Sequence, residues 1–140
     1  MRKLFSLTIA LGLIFAISSC KKYDEGPGFS LRSKAERVAN TWKFDKVTEA
    51  DGDDVTSSYT GWTMVLDKDG GMTMNYVFLS IPYSDEGTWA FASDNEEIHL
   101  TYTNALLESL WPKEFTIKKL KEKEFWVVAK TDNTEFQFAP

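Results

Sequence analysis

Hydrophobic and polar positions divide the chain into two unlike parts. Leu4 to Ile17 is a nearly unbroken apolar run, interrupted only by Ser6, Thr8 and Gly12. From Thr41 to Phe138 the apolar positions instead recur at every second residue, in short runs separated by turn residues. A period of two marks strands that bury one face. Trp42 and Phe44 alternate with Lys43 and Asp45, and Trp62, Met64 and Leu66 alternate up to Asp67-Lys68-Asp69-Gly70-Gly71. Met72, Met74, Tyr76 and Phe78 line one face of the next run, and the glycine-containing turn between the two runs predicts a hairpin. Trp89 and Phe91 share a face over 87–92, and Ile98, Leu100 and Tyr102 oppose Glu97, His99 and Thr101. The last strands are expected over 114–120, 125–130 and 134–138, with a weak strand over 55–59. The segment 80–86, which contains Pro82, reads as a loop. So does 104–112, with one helical turn and with Leu106, Leu107, Leu110 and Trp111 either exposed or docked.

A single helix is predicted over Leu31 to Ala39, where Ser33 and Glu36 have capping-box spacing. No helix of crossover length lies between the strands, so an antiparallel meander of seven to nine strands is expected. Such a meander must close on itself or hide its edges. An all-β, up-and-down barrel of about eight strands with a short N-terminal helix is the simplest solution, with a two-sheet sandwich as the alternative.

The apolar run at the start is too short to span a bilayer, which takes roughly 20 apolar residues. With Arg2 and Lys3 before it, it fits a secretory signal. The run ends in Ile17-Ser18-Ser19-Cys20, which resembles the lipobox of bacterial lipoproteins. That resemblance implies cleavage of residues 1–19 and lipid on Cys20. Cys20 is the sole cysteine, so its lipidation removes both disulfide bonding and thiol catalysis from the chain. Residues 20–29 contain Gly26-Pro27-Gly28 and read as a tether, leaving 30–140 as the folded domain. Asp24 and Glu25 after the cysteine resemble the surface-export signals of Bacteroidetes lipoproteins. The expected location is the cell envelope, lipid-anchored, in the outer membrane on its periplasmic face or at the cell surface.

Charge narrows the partners. From Cys20 onward, 14 Lys and Arg face 21 Asp and Glu, a formal charge of −7. No basic stripe is present to hold nucleic acid. His99 is the only histidine, falls on the polar face of its strand and has no Gly-x-Ser-x-Gly motif to serve. One histidine and no free thiol also argue against zinc. Asp51-Gly52-Asp53-Asp54 and Asp67-Lys68-Asp69-Gly70 resemble fragments of calcium loops but stand where turns are needed. No catalytic residue, cofactor or metal is expected.

The order of a short helix, Asn40-Thr41-Trp42-Lys43-Phe44, an Asp-Gly hairpin and Gly87-Thr88-Trp89-Ala90-Phe91 resembles lipocalin-like domains. In particular it resembles the small lipocalin-like lipoproteins of Bacteroidetes. Phe115 to Leu120 followed by Glu124-Phe125-Trp126-Val127-Val128 extends the likeness. The lipocalin arginine that packs over the first-strand tryptophan has no counterpart, since only Arg32 and Arg37 follow Cys20. The resemblance implies a barrel whose interior takes a small ligand. Trp62, Met64, Met72, Met74, Tyr76, Trp89 and Tyr102 are the candidate lining. Methionine adapts to irregular shapes, and Tyr and Trp add single polar atoms to an apolar wall. The same residues could form a packed barrel interior. The expected function is binding of a small hydrophobic or amphiphilic ligand by a membrane-anchored, non-catalytic lipoprotein. The alternative is an accessory interaction module of a larger envelope complex, using the apolar 104–112 segment.

Overall fold

The structure is a computed structural model and describes residues 31–140. The signal segment, Cys20 and the tether lie outside the described residues. Strands β1 (Asn40–Thr48), β2 (Thr63–Leu66), β3 (Gly71–Phe78), β4 (Ile81–Ala92), β5 (Glu97–Tyr102), β6 (Glu114–Leu120), β7 (Phe125–Ala129) and β8 (Glu135–Ala139) form one closed barrel in sequence order. Every neighbouring pair is antiparallel, and β8 returns to β1. Closure is helped by two register shifts, between Phe44 and Lys46 of β1 and between Ile117 and Lys119 of β6, which bend their strands. The sandwich alternative is therefore set aside.

An up-and-down chain has two ends. At the first, helix α1 (Lys34–Val38) precedes β1. Ser33 caps it with the predicted box: its Oγ accepts from Glu36 N at 3.2 Å and its own N–H donates to Glu36 Oε2 at 2.7 Å. The helix is docked by Trp42, whose Nε1 donates to Val38 O at 2.8 Å while its ring lies 5.5 Å from that of Phe125. Trp42 and Val38 are fully buried, so this end of the barrel is stoppered. We call it the helix end. The tight turns after β2, β4 and β6 lie here too.

The other end carries the long β1–β2 connection, the tip of the β3–β4 hairpin, helix α2 (Ala105–Leu110) and the β7–β8 turn. Two expectations are corrected here. The weak strand over 55–59 is a 3-10 helix, Thr56–Tyr59, because the Thr56 side chain folds back to Asp54 and to Val47 N. The loop expected over 80–86 belongs to β4, whose pairing with β3 runs from Phe78↔Ile81 to Gly71↔Thr88. The turn is only Leu79-Ser80, both with positive φ. Pro82 is tolerated because β5 reaches only to Gly87, so Pro82 stands on an open edge.

The core is built as the alternation requires. Met64, Leu66, Met72, Met74, Tyr76, Ile98, Leu100, Phe115, Ile117, Phe125, Val127, Phe136 and Phe138 are all buried. At ~1.5–3 kcal/mol per large apolar side chain removed from water, this set supports the fold without a disulfide.

Candidate functional site: the aromatic end of the barrel

The seven residues singled out from the sequence all fall on the inner face of β2 to β5 or at its edge. Each is buried: Met74 and Tyr76 essentially fully, and Trp62, Met64, Met72, Trp89 and Tyr102 nearly so. The strand register makes Met64 and Met74 cross-strand partners, and sets Met72 beside Gly87 and Gly87 beside Tyr102. Glycine is required at 87, since a Cβ there would stand 2.2 Å from Thr101 O and 2.6 Å from the Met72 methyl.

Three of the seven carry polar atoms that are already engaged. Tyr76 donates its hydroxyl to Asp85 Oδ2 at 2.6 Å, Trp89 Nε1 donates to Asp67 O at 2.8 Å, and the Tyr102 hydroxyl donates to Pro112 O. Burial, and then the hydrogen bond and charge of Asp85, push the Tyr76 phenol up to about 12. Burial alone raises Tyr102 further. Both phenols remain neutral donors at any ordinary pH.

At the end opposite α1 the rings form a continuous cluster that also recruits Phe44, Tyr59, Trp111 and Phe136. Phe44 stacks on Tyr59 at 5.3 Å between centroids, with planes 4° apart. Trp111 approaches Phe136 at 4.6 Å, Phe44 at 5.2 Å and Trp62 at 5.9 Å, and Trp62 reaches Tyr76 at 5.2 Å. Phe44 is visible in the sequence as a member of one face of an alternating strand, and Phe136 lies in the strand expected over 134–138. Trp111 is visible in the sequence only as an apolar residue in a connection, and Tyr59 only as the end of the weak strand expected over 55–59, because no periodicity tells where a loop residue docks. The 104–112 segment turns out to be docked: Leu107 and Trp111 are buried, and only Leu110 is left exposed among its large apolar side chains.

Among the described residues, clefts open on several sides of this end. One of about 410 Å³ is lined by Phe44, Tyr59, Trp62, Lys43, Thr56 and Thr60. It lies where β2 stops opposite Lys43 while β1 continues to Thr48. A second, about 490 Å³, is lined by Trp111, Pro112, Lys113, Glu108, Glu114 and Lys130. A third, about 380 Å³, is polar, with Glu49, Asp51, Asp132 and Thr134. Burial, with help from the nearby Asp132 and Glu49 charges, raises the Tyr59 phenol as well.

The remaining candidate chemistry is accounted for locally. Asp67 Oδ1 accepts from the N–H groups of Asp69 and Gly71, both at 3.0 Å, so this carboxylate closes a turn. Asp51 and Asp54 do the same for Asp53 and Thr56. His99 lies on the outer face with Nε2 3.1 Å from Glu97 Oε2, and Glu97 is bridged in turn by Lys130 at 3.0 Å. Those contacts hold the Glu97 carboxyl below its usual range, Lys130 contributing most. Among the described residues, no three His, Cys, Asp or Glu side chains gather as a metal site.

No protein-family model matches the chain, and no curated protein does. Among solved structures, the crystal structure of a DUF4847 family protein from Bacteroides vulgatus is similar to it, with a TM-score of 0.51 at 13% identity. The match covers 73% of this chain and 92% of that one, and it shows a shared fold, which in this chain is a closed eight-stranded antiparallel barrel.

Proposed function

We propose that this protein is a membrane-anchored, lipocalin-like lipoprotein that binds a small hydrophobic or amphiphilic ligand at the aromatic end of its barrel and performs no catalysis. The lipobox-like Ile17-Ser18-Ser19-Cys20 supports the anchor, and the envelope of a diderm bacterium, at its outer membrane, is the matching location. The observation that carries the binding role is the cleft of about 410 Å³ that reaches Phe44, Tyr59 and Trp62 through a polar rim. Ligand sites of this size class are concave and mostly apolar, with a few polar groups.

Two measurements test the two halves. Labelled palmitate should be incorporated into the chain and be lost in Cys20→Ser, which should also leave the membrane fraction; unchanged labelling sinks the anchor. Displacement of a bound anilinonaphthalene dye by fatty acids should be weakened by Tyr59→Ala. Saturable binding that ignores this substitution would move the site elsewhere.

A second reading, an interaction module within an envelope complex, is favoured by one specific observation. β5 stops opposite Gly87 and β2 opposite Asn75, so beyond Asn75 and Ser84 the β3–β4 hairpin projects past both neighbouring strands, and its tip exposes Leu79 (80%), Ile81 (53%) and Val77 (41%). No charged residue occurs from Gly71 to Ser84. The occupant this arm suits is an extended strand of a partner protein, paired along the open β4 edge. Loss of a defined, reconstituted complex in Leu79→Asp would support it, and an unaffected complex would exclude the arm.

A further inference from the structure

We infer that the tip of the β3–β4 hairpin enters the surface of an uncharged lipid bilayer, the one that carries the chain's own anchor, with Leu79, Ile81 and Val77 among the acyl chains. This rests on the first reading above, a domain tethered to a membrane, and gives the arm a different occupant from the second. It also turns the aromatic end, with its cleft, toward the lipid.

The turn is the first sign. Leu79 and Ser80 hold φ of 50° and 64°, a region that favours Asn and Gly. A leucine there weakens the turn, and with 80% of its surface exposed it adds nothing to the core. Its side chain points to a contact outside the fold. Behind the turn the residues change character in order. Phe78 pairs with Ile81, Val77 with Pro82, Tyr76 with Tyr83 and Asn75 with Ser84. The two tyrosine rings stack at 5.3 Å. The first charge on β4 is Asp85, whose carboxylate accepts from Tyr76 and Asn104. Apolar, then tyrosine, then polar, then charged is the order of environments met on leaving a bilayer, where tyrosines sit at headgroup level. The three steps from Leu79 back to Tyr76 span about 10 Å at ~3.4 Å per residue. Interfacial apolar surfaces sink to a similar depth, ~5–10 Å.

The backbone of the arm favours lipid over a protein strand. Trp89 N donates to Gly70 O at 2.8 Å, and bonded pairs alternate along an antiparallel ladder. Tyr76–Tyr83 and Phe78–Ile81 are therefore bonded pairs, and between them Val77 and Pro82 turn their backbones outward. Pro82 has no N–H. It gives an added strand one donor fewer, and it leaves one polar group fewer for lipid to desolvate.

Charge selects the lipid. No Lys or Arg occurs from Gly71 to Ser84 to attract an anionic headgroup, and the cleft lined by Glu49, Asp51 and Asp132 at the same end is acidic. Neutral or zwitterionic headgroups are favoured. The geometry allows anchor and tip to share one bilayer. β3 runs from the helix end toward the tip in eight residues, about 27 Å at ~3.4 Å each. The ten residues between Cys20 and Leu31 reach roughly 33–36 Å when extended.

The test places the lipidated full chain in phosphatidylcholine vesicles with an environment-sensitive fluorophore on one new thiol, which is unique because lipid occupies Cys20. Leu79→Cys puts the probe at the tip, and Thr131→Cys, in the β7–β8 turn of the same end, is the control. The Leu79 probe should shift to the blue and be quenched several-fold more than the control by lipids brominated high on their chains. Aqueous iodide should show the reverse order. With the probe at Ile81 instead, Leu79→Asp should remove most of the lipid quenching. Replacing half of the lipid by phosphatidylglycerol should not strengthen it. Vesicles that carry the chain yet leave both probes equally open to iodide overturn the tip while leaving the anchor standing. A chain that carries no lipid and does not float with the vesicles defeats the anchor and the tip together. Shielding of Leu79 in native envelope membranes but not in protein-free vesicles gives the arm to a protein. Insertion that requires anionic lipid overturns the uncharged surface.

Discussion

The two ends of the barrel solve the same problem in opposite ways. Each must cover the inner side chains that a short barrel leaves at its mouth. The helix end does so with a capped helix and a tryptophan whose N–H is bonded to that helix, and its β2–β3 turn is closed by the Asp67 carboxylate. Its buried unpaired donor is Arg37 Nε, on a guanidinium whose other nitrogen already donates to Arg32 O. The aromatic end is covered by rings together with the docked α2, is opened by clefts on several sides and holds an unpaired indole N–H, with an apolar hairpin tip projecting beyond it. The first end is closed by a capped helix, whereas the second is where the proposed ligand site lies.

This contrast predicts where substitutions will be felt. The largest effect is expected for Trp42→Ala, which removes a fully buried ring and the tie to α1. Chemical denaturation should record a loss of about 3–5 kcal/mol. A loss below that of the matching Trp111→Ala change at the other end would reverse the assignment of roles. Gly87→Ala comes next, at about 1–3 kcal/mol, because the new methyl would overlap the Thr101 carbonyl, which is backbone and cannot swing away. A neutral result would mean that β4 and β5 part more easily than their register implies.

An effect of alkaline pH is predicted at the aromatic end. The Tyr76 phenol is pushed up to about 12 in the folded chain by burial and by its bond to Asp85, against about 10 for an ordinary tyrosine in the unfolded chain. The folded state therefore holds its proton longer. The associated stability is fully present below pH 10 and is lost as pH rises through 12. Denaturant midpoints measured across that window should fall, and Tyr76→Phe should flatten the fall.

The smallest predicted change is a gain. Leu79 and Ser80 occupy the two central positions of a two-residue turn with φ of 50° and 64°, where Asn-Gly is the favoured pair. Replacing them as Leu79→Asn with Ser80→Gly should raise stability by about 1 kcal/mol. If the arm serves a partner, the same change should weaken association, so stability and binding would move in opposite directions. Improvement in both would show the tip to be an ordinary turn.

Much of the fold was legible because strand burial has a two-residue period that no other element shares. Trp62-Met64-Leu66 and Ile98-Leu100-Tyr102 read directly as inner faces and are found there. Pro82 misled for a physical reason. It bars a central strand, but whether a strand is an edge depends on where its neighbour stops, and β5 stops at Gly87. The segment 55–59 misled similarly, since Thr56 chose Asp54 and Val47 as hydrogen-bond partners over a strand ladder.

The candidate site was legible in its composition and not in its location. The sequence by itself determined an antiparallel all-β domain, its inward residues, its capped helix and a lipobox-like cysteine ahead of it, all features set by local period, spacing or residue type. The tertiary structure decided the rest: that the sheet closes as β1 meets β8, that Tyr59 and Trp111 leave their loops to join Phe44 and Trp62, and which buried donors find acceptors. These depend on groups far apart in sequence meeting in space, and a hydrogen-bond account can be closed only when every neighbour is known.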